Sequence, residues 1–255
     1  MDLSFNVRLI ENYHSTSQSV RVLTEHWFAS NMFCPRCGNV HIRRFENNRP
    51  VADFYCDTCN SEYELKSNHN SIDRKITDGA YGTMIQRITE NNNPDLFCMR
   101  YEKRDNHVTD LIFIPKYFFT PSIIEKRKPL KATARRAGWI GCNILIGKIP
   151  EQAKIKIIAA GKVNSVDAIV KQVQKCDSIS TKDIVARGWL LDILHCVNAM
   201  SAQEFALSDM YRFENMLSLK HPENNNVQAK IRQQLQLLRD KGFIEFLGNG
   251  KYKKL

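Results

Sequence analysis

The chain has 255 residues, 43% of them apolar, and a formal net charge of +10. No stretch approaches the ~18 to 20 uninterrupted apolar residues of a membrane span, and the N-terminus lacks the pattern of a secretory signal. We therefore expect a soluble cytoplasmic protein with no membrane partner. The surplus of positive charge favours a polyanion, and we find no basic amphipathic helix that would point to membrane instead of nucleic acid.

The first part of the chain alternates between helical and strand-like patterns. Its predicted elements are a helix at 18–30, strands at 45–56 and 61–67, a helix at 77–90, strands at 96–103 and 108–119, an exposed charged loop at 125–136, and strands at 139–144 and 153–163. This order predicts an α/β domain over residues 1–182 whose sheet has a helix on each side.

The last part of the chain is helical and ends in a hairpin pattern. We predict helices at 188–200, 208–219 and 225–242, the second with Ser208 as its N-cap. Gly248-Asn249-Gly250 then predicts a tight turn between two short strands. Three helices followed by a β-hairpin indicate an α+β winged helix-turn-helix domain over residues 183–255.

Four of the eight cysteines form two C-x-x-C pairs separated by eighteen residues. This spacing is typical of a Cys₄ zinc ribbon, in which a full thiolate shell leaves no open position for chemistry. The predicted ligands of this structural Zn²⁺ are Cys34, Cys37, Cys56 and Cys59, and the alternative is four unrelated reduced thiols. Gly38 suits the positive φ often wanted after such a turn. We expect the other four to be buried core residues: Cys98, Cys142, Cys176 and Cys196.

A second motif, P-x-x-D…E-x-K, begins at Pro50 and ends at Lys66. Glu64 and Lys66 are two residues apart and share one face of a strand, and Asp53 can lie on the neighbouring strand. Two carboxylates would bind Mg²⁺, and the lysine would position the attacking water and stabilise developing charge, as in a magnesium-dependent nuclease. The pattern alone also fits a solvated hairpin with a surface ion pair.

A third acid from the first helix could help to hold the metal ion. Glu25 and Glu11 are the candidates. The alternative for each is simple solvation of a helix surface.

These segments together resemble the DpnI family of methyl-directed type II restriction endonucleases, within the PD-(D/E)XK superfamily. The resemblance covers CPRCG, FENNRPVADFYC, ELKS, DGAYGTM, RKPLKATARRAGWIGCNI, DMYRFE, IRQQLQLLRDKG and GKYKKL, and is weaker over 145–180 and 215–228. It implies a PD-(D/E)XK nuclease domain with an inserted Cys₄ zinc ribbon, followed by a winged-helix domain, each reading the methylated site. It also implies that Asp53, Glu64 and Lys66 are catalytic.

The activity implied by the resemblance is Mg²⁺-dependent hydrolysis of double-stranded DNA at GATC sites whose adenine carries an N6-methyl group. The implied location is the bacterial cytoplasm. We expect a monomer in solution, so a double-strand break requires either transient dimerisation on DNA or two sequential nicks.

Candidate DNA-contacting residues lie in both predicted domains. On the last helix, Gln228, Arg232 and Gln233 could read bases in the major groove, or could simply solvate the helix. On the wing, Lys251, Lys253 and Lys254 are candidates for phosphate contacts. The residues at 224–226 are expected to cap the last helix in preference to contacting phosphates.

Detection of a methyl group requires an apolar or aromatic wall. Trp139 is the candidate, with the basic residues up to Arg135 and Arg136 following the phosphates. The default alternative for Trp139 is a core position.

Two other classes of protein share parts of this pattern. A non-catalytic transcriptional regulator could combine a zinc ribbon with a winged helix, but it has no reason to keep Asp53, Glu64 and Lys66. An RNA-binding factor is disfavoured because A-form RNA has a major groove too narrow for a reading helix.

Overall fold

The computed structural model describes residues 1–46, 52–72, 74–181 and 183–255. Contacts divide the chain into two compact units, Met1–Gln174 and Lys175–Leu255. The expected boundary after residue 182 remains a prediction, and Lys182 itself lies outside the described residues. No helix in the described ranges is long and apolar enough to cross a membrane.

The first unit is a mixture of helices and strands. Its elements are α1 (Thr16–Asn31), β1 (Arg43–Arg44), β2 (Phe54–Tyr55), β3 (Glu62–Asn68), β4 (Ile76–Ala80), α2 (Tyr81–Thr89), β5 (Asp95–Glu102), β6 (His107–Ile114), β7 (Ile124–Lys126), β8 (Gly141–Ile144), β9 (Ile155–Ala159), β10 (Lys162–Val163) and α3 (Val166–Asp177).

In the described ranges, seven strands form the main sheet, in the order β1-β2-β3-β5-β6-β9-β10. The pair β3 and β5 is parallel, and the other neighbours are antiparallel. Helix α1 packs on one face, where the buried ring of Phe28 lies 4.5 Å from that of Phe54 and 4.7 Å from that of Phe97. These aromatic side chains exclude water from that face and fix the strands that carry the candidate site on the other.

A smaller sheet has the order β4-β8-β7. Its first strand corrects the predicted helix at 77–90, because Ile76–Ala80 is strand β4 and α2 begins only at Tyr81. The physical reason is that Gly79 is a poor helix former and that residues 76–78 alternate between buried and exposed. Residues 127–140 connect β7 to β8 as a loop, here called the basic loop. The predicted exposed loop at 125–136 is confirmed except at its start, because Glu125 and Lys126 belong to β7.

The four scattered cysteines are buried, as predicted. Among the described elements, the long one that the sequence reasoning missed is α3, which buries Ile169 and Val173 and whose last three residues belong to the second unit.

Over its described residues, the second unit contains four helices and a three-stranded sheet. Its elements are α4 (Ile184–Ala199), β11 (Glu204–Ala206), α5 (Leu207–Tyr211), α6 (Glu214–Lys220), α7 (Val227–Asp240), β12 (Ile244–Gly248) and β13 (Lys251–Lys254). Strand β13 lies between β11 and β12. The predicted turn is confirmed, with positive φ angles at Gly248, Asn249 and Gly250, and the arrangement is a winged helix-turn-helix.

The predicted single helix at 208–219 is wrong, because the chain breaks between α5 and α6. Ser208 lies inside α5 and is not its N-cap; the Asp209 carboxylate instead accepts the Ala206 N–H at 2.9 Å. Helix α4 does have a side-chain cap, since Asp183 accepts from the N–H groups of Val185 and Ala186.

Candidate active site

Strand β3 brings the predicted nuclease residues together. Glu64 and Lys66 point to the same side of β3, and Asp53 directly precedes the neighbouring β2. The Asp53 N–H donates to the Tyr63 carbonyl at 2.9 Å, and the Leu65 N–H donates to the Asp53 carboxylate at 2.8 Å. Asp53 is therefore fixed to β3 at the level of the other two residues.

The first residue of the motif, Pro50, lies outside the described residues, as does Val51. Leu65, between the two motif residues on β3, pairs with Phe97 across β3 and β5 and is half-buried.

Lys66 connects two carboxylates. Its Nζ lies 2.7 Å from Glu64 Oε1 and 2.5 Å from Asp78 Oδ1. Asp78 is buried on β4, in the smaller sheet. Sequence reasoning missed it because it assigned Asp78 to a helix, and nothing local marks β4 as a neighbour of β3.

The site holds three acids, Asp53, Glu64 and Asp78, and one lysine, Lys66. Burial raises the pKa of Glu64 to about 8, and the charges of Asp78 and Asp53 add to this effect while Lys66 opposes it. Burial also raises the pKa of Asp53, whereas the hydrogen bond from the Leu65 N–H and the charge of Lys66 lower it. Burial by itself would lower the pKa of Lys66, but the charges of Glu64 and Asp78 outweigh it and raise that pKa. Such a site favours an added cation.

The two candidates for a third acid differ in position. Glu25 is buried on α1, paired with Arg21 at 2.6 Å and with Arg44, and its charge acts on Asp53. Glu11 is exposed in a turn before the helix. The four cysteines have sulfur atoms that all lie within 4.8 Å of one another. Within the described ranges, Asp53 and Glu64 form no such close group with a third acid. Of the two acids, Glu25 therefore remains the candidate for a third metal ligand, and in the structure it is paired with Arg21 and Arg44.

The four cysteines of the two C-x-x-C pairs form one cluster. Their sulfur atoms all lie within 4.8 Å of one another, with Cys34 Sγ 3.5 Å from Cys59 Sγ and Cys37 Sγ 3.6 Å from Cys56 Sγ. Four thiolates bound tetrahedrally at ~2.3 Å from Zn²⁺ lie about 3.8 Å apart, so the cluster fits zinc. Gly38 has the expected positive φ of 77°.

The zinc knuckle, meaning these four cysteines and their two turns, is tied to the candidate site. The second turn joins β2 to β3 directly, and the Tyr63 hydroxyl lies 2.9 Å from Cys34 Sγ. In addition, Arg36 makes two short contacts to the buried Asp95 at the start of β5, at 2.6 and 2.7 Å. The knuckle therefore fixes β3, which carries Glu64 and Lys66, and its neighbour β5.

The basic loop presents a row of exposed cations. Those next to the proposed methyl reader are Arg135 and Arg136. The guanidinium of Arg136 lies 4.4 Å from the centre of the Trp139 ring. Trp139 is half-buried and its ring covers Gly141, where an added Cβ would approach to 2.8 Å. Trp139 is therefore not a fully buried core residue, and the Arg136 guanidinium lies over its ring.

On α7, the predicted base-reading residues are exposed: Gln228, Arg232 and Gln233. Gln228 donates to Glu214 at 2.8 Å and Arg232 donates to the Tyr211 hydroxyl at 2.8 Å, so both are oriented by α5 and α6. The expected capping by residues 224–226 is not made by the N-cap side chain, Asn226.

On the wing, Lys251 is exposed and Lys253 is partly exposed, which suits phosphate contacts. Lys254 instead donates to the Met200 carbonyl of the same unit.

Fold and site together define a class. A mixed α/β domain with a four-cysteine cluster and a carboxylate–lysine site precedes a helical domain of the winged helix-turn-helix type. The sequence model of the DpnI, Dam-replacing family matches residues 1–182, and that of the Dam-replacing HTH domain matches residues 185–254. The chain belongs to the DpnI family and is a restriction enzyme of the DpnI type.

Proposed function

We propose that the chain is a Mg²⁺-dependent type II site-specific deoxyribonuclease that cuts double-stranded DNA at GATC sites containing N6-methyladenine. The observation that carries this proposal is the convergence of Asp53, Glu64 and Lys66 on one face of the main sheet, in a chain of the DpnI family.

The proposed chemistry divides among three side chains. Asp53 and Glu64 would hold Mg²⁺, which supplies Lewis-acid activation of the scissile phosphate and of a bound water. Burial is the main cause of the raised pKa values of both carboxyl groups, and a bound cation would offset the cost of burying their charged forms. Lys66 would donate hydrogen bonds to the attacking water and would neutralise charge that develops on the phosphate.

Zinc has a structural role in this proposal. Cys34, Cys37, Cys56 and Cys59 would hold Zn²⁺ with no open position, so it would fix the β2–β3 hairpin without taking part in hydrolysis.

Methyl recognition is proposed for both domains. The partly exposed Trp139 indole offers an aromatic wall, and the exposed cations around it suit backbone phosphates. On α7, Gln228 and Gln233 could pair with adenine and Arg232 with guanine.

The test is to incubate the protein with Mg²⁺ and with plasmid from adenine-methylating and non-methylating hosts. We expect cutting of the methylated plasmid only, and none in EDTA. Asp53→Ala should abolish cutting and preserve binding to methylated duplex, whereas Asp57→Ala, which removes an exposed acid from the same hairpin, should cut normally.

The outcomes separate the alternatives. Cutting of neither plasmid would leave a non-catalytic DNA-binding regulator. Equal cutting of both would remove the dependence on methylation. Normal cutting by Asp53→Ala would remove Asp53 from the site.

A further inference from the structure

Asp78 is a buried acid that the nuclease motif does not include. Its side chain is only 4% exposed, and its carboxylate lies 2.5 Å from Lys66 Nζ. It belongs to β4 of the smaller sheet, whereas Lys66 belongs to β3 of the main sheet. The contact therefore joins the two sheets at the candidate active site.

The Lys66 ammonium needs a carboxylate that remains paired with it when Glu64 binds a metal ion. In the structure, its ammonium group is shared between Glu64 and Asp78. If Glu64 binds a divalent cation, one of these two partners is committed elsewhere. A largely buried ammonium without a counter-charge is unfavourable, and a four-carbon side chain can adopt other rotamers. Asp78 is the carboxylate that remains to hold it.

The position of Asp78 also connects Lys66 to the basic loop. On β4, Asp78 pairs with Cys142 of β8, and β8 begins directly after the loop that carries Trp139. Any displacement of β8 relative to the main sheet would thus reach Lys66 through one strand pair and one ion pair.

We propose that Asp78 is a positioning residue, which keeps the Lys66 ammonium aimed at the reacting phosphate from the sheet that bears the basic loop. This inference rests on the proposed nuclease function. It assigns Asp78 no contact with DNA or metal, so its whole effect should pass through Lys66.

The first experiment measures cleavage of a methylated GATC duplex at saturating enzyme and Mg²⁺. Asp78→Asn keeps the shape and removes the charge, and we expect it to lower the rate by about tenfold or more. Asp78→Glu, which restores the charge, should recover part of that loss. Two quantities should stay within about twofold of wild type, because Asp78 touches neither ligand: the duplex Kd in Ca²⁺ and the Mg²⁺ concentration for half-maximal rate.

The matched control is Glu125→Gln. Glu125 is an acid on β7 of the same small sheet, paired with Lys75 at 3.2 Å and exposed. The Glu125→Gln protein should cleave the duplex at the wild-type rate.

The second experiment is a double-mutant cycle with Lys66→Met. Adding Asp78→Asn to Lys66→Met should cause no further loss of residual nicking, since the group through which Asp78 acts is already gone. This comparison also decides the matter if Asp78→Asn alone does not fold, because neither protein of the pair contains an unpaired ammonium.

Three results would overturn the inference while wild-type cleavage is intact. These are an unchanged rate for Asp78→Asn, a rise of tenfold in the Mg²⁺ requirement, which would make Asp78 a metal ligand, and a further loss in the Lys66→Met background. Absence of cleavage by the wild-type protein would instead overturn the proposed function, and the inference with it.

Discussion

Two arginine–aspartate pairs on the zinc knuckle allow one sharp prediction about its attachment. Arg36 and Asp95 have side chains 14% and 2% exposed, whereas Arg43 and Asp57 are 63% and 39% exposed. Both pairs have short N–O distances, 2.6 and 2.5 Å. Burial, and not the contact distance, should decide how much each arginine contributes to stability.

Replacing Arg36 by alanine leaves the Asp95 carboxylate buried with the Lys116 N–H, at 2.7 Å, as a remaining donor. Removing one partner of a buried ion pair costs about 3 to 5 kcal/mol, and we expect about 3 because that donor is retained. Arg43→Ala should cause no measurable loss, since an exposed pair is solvated and screened.

The assay is equilibrium unfolding in urea, with Trp189→Phe in every variant so that fluorescence reports on the first unit. For a slope of about 3 kcal/mol/M, Arg36→Ala should lower the midpoint by about 1 M. Equal midpoints for Arg36→Ala and Arg43→Ala would refute the reasoning from burial. A normal midpoint for the double variant Arg36→Met/Asp95→Asn would support it, because no unpaired charge is then buried.

Three further changes test the knuckle, the loop and the core. Cys56→Ser should lower bound zinc, melting temperature and cleavage together, because it removes one ligand at the turn that joins the strands of the site; metal analysis, circular dichroism and plasmid cutting measure this. Trp139→Ala should slow cleavage of methylated sites by about tenfold with an unchanged melting temperature, since loss of an aromatic contact is worth about 0.5–1.5 kcal/mol. Phe28→Ala should destabilise the first unit by about 3–5 kcal/mol in urea through the cavity it leaves between α1 and the sheet.

Each of these predictions has a result that contradicts it. A folded and active Cys56→Ser protein would make the knuckle incidental to the site. Unchanged cleavage by Trp139→Ala would remove the indole from methyl recognition. A loss below about 1 kcal/mol for Phe28→Ala would mean that the core closes over the gap.

Local patterns in the sequence were sufficient for much of the fold. The β5–β6 hairpin follows from two apolar runs with a polar turn, and the left-handed φ at Asn106 is of the kind that Asn tolerates. The zinc knuckle follows from cysteine spacing. Glu64 and Lys66 share a side because of the two-residue period of a strand.

The errors around β4 came from two sources. Strand β4 pairs with β8, more than sixty residues later, and no local pattern reports such a pairing. The apolar spacing of α2 also continued back to Ala80, which extended the predicted helix over a strand and hid Asp78. Helix α3 is different, because its buried residues Ile169, Val173 and Cys176 follow the helical period and could have been recognised.

The odd-numbered and even-numbered side chains of strand β3 lie on opposite faces and have different roles. Tyr63 contacts the Phe97 ring and a knuckle sulfur, and Ser67 contacts Thr24 of α1, whereas Glu64 and Lys66 face the opposite side. Inserting or deleting one residue after Cys59 would exchange the two sets, because successive side chains of a strand alternate. The parity of this short segment is therefore as much a part of the active site as the identity of its acids, and a one-residue length change would act like several substitutions at once.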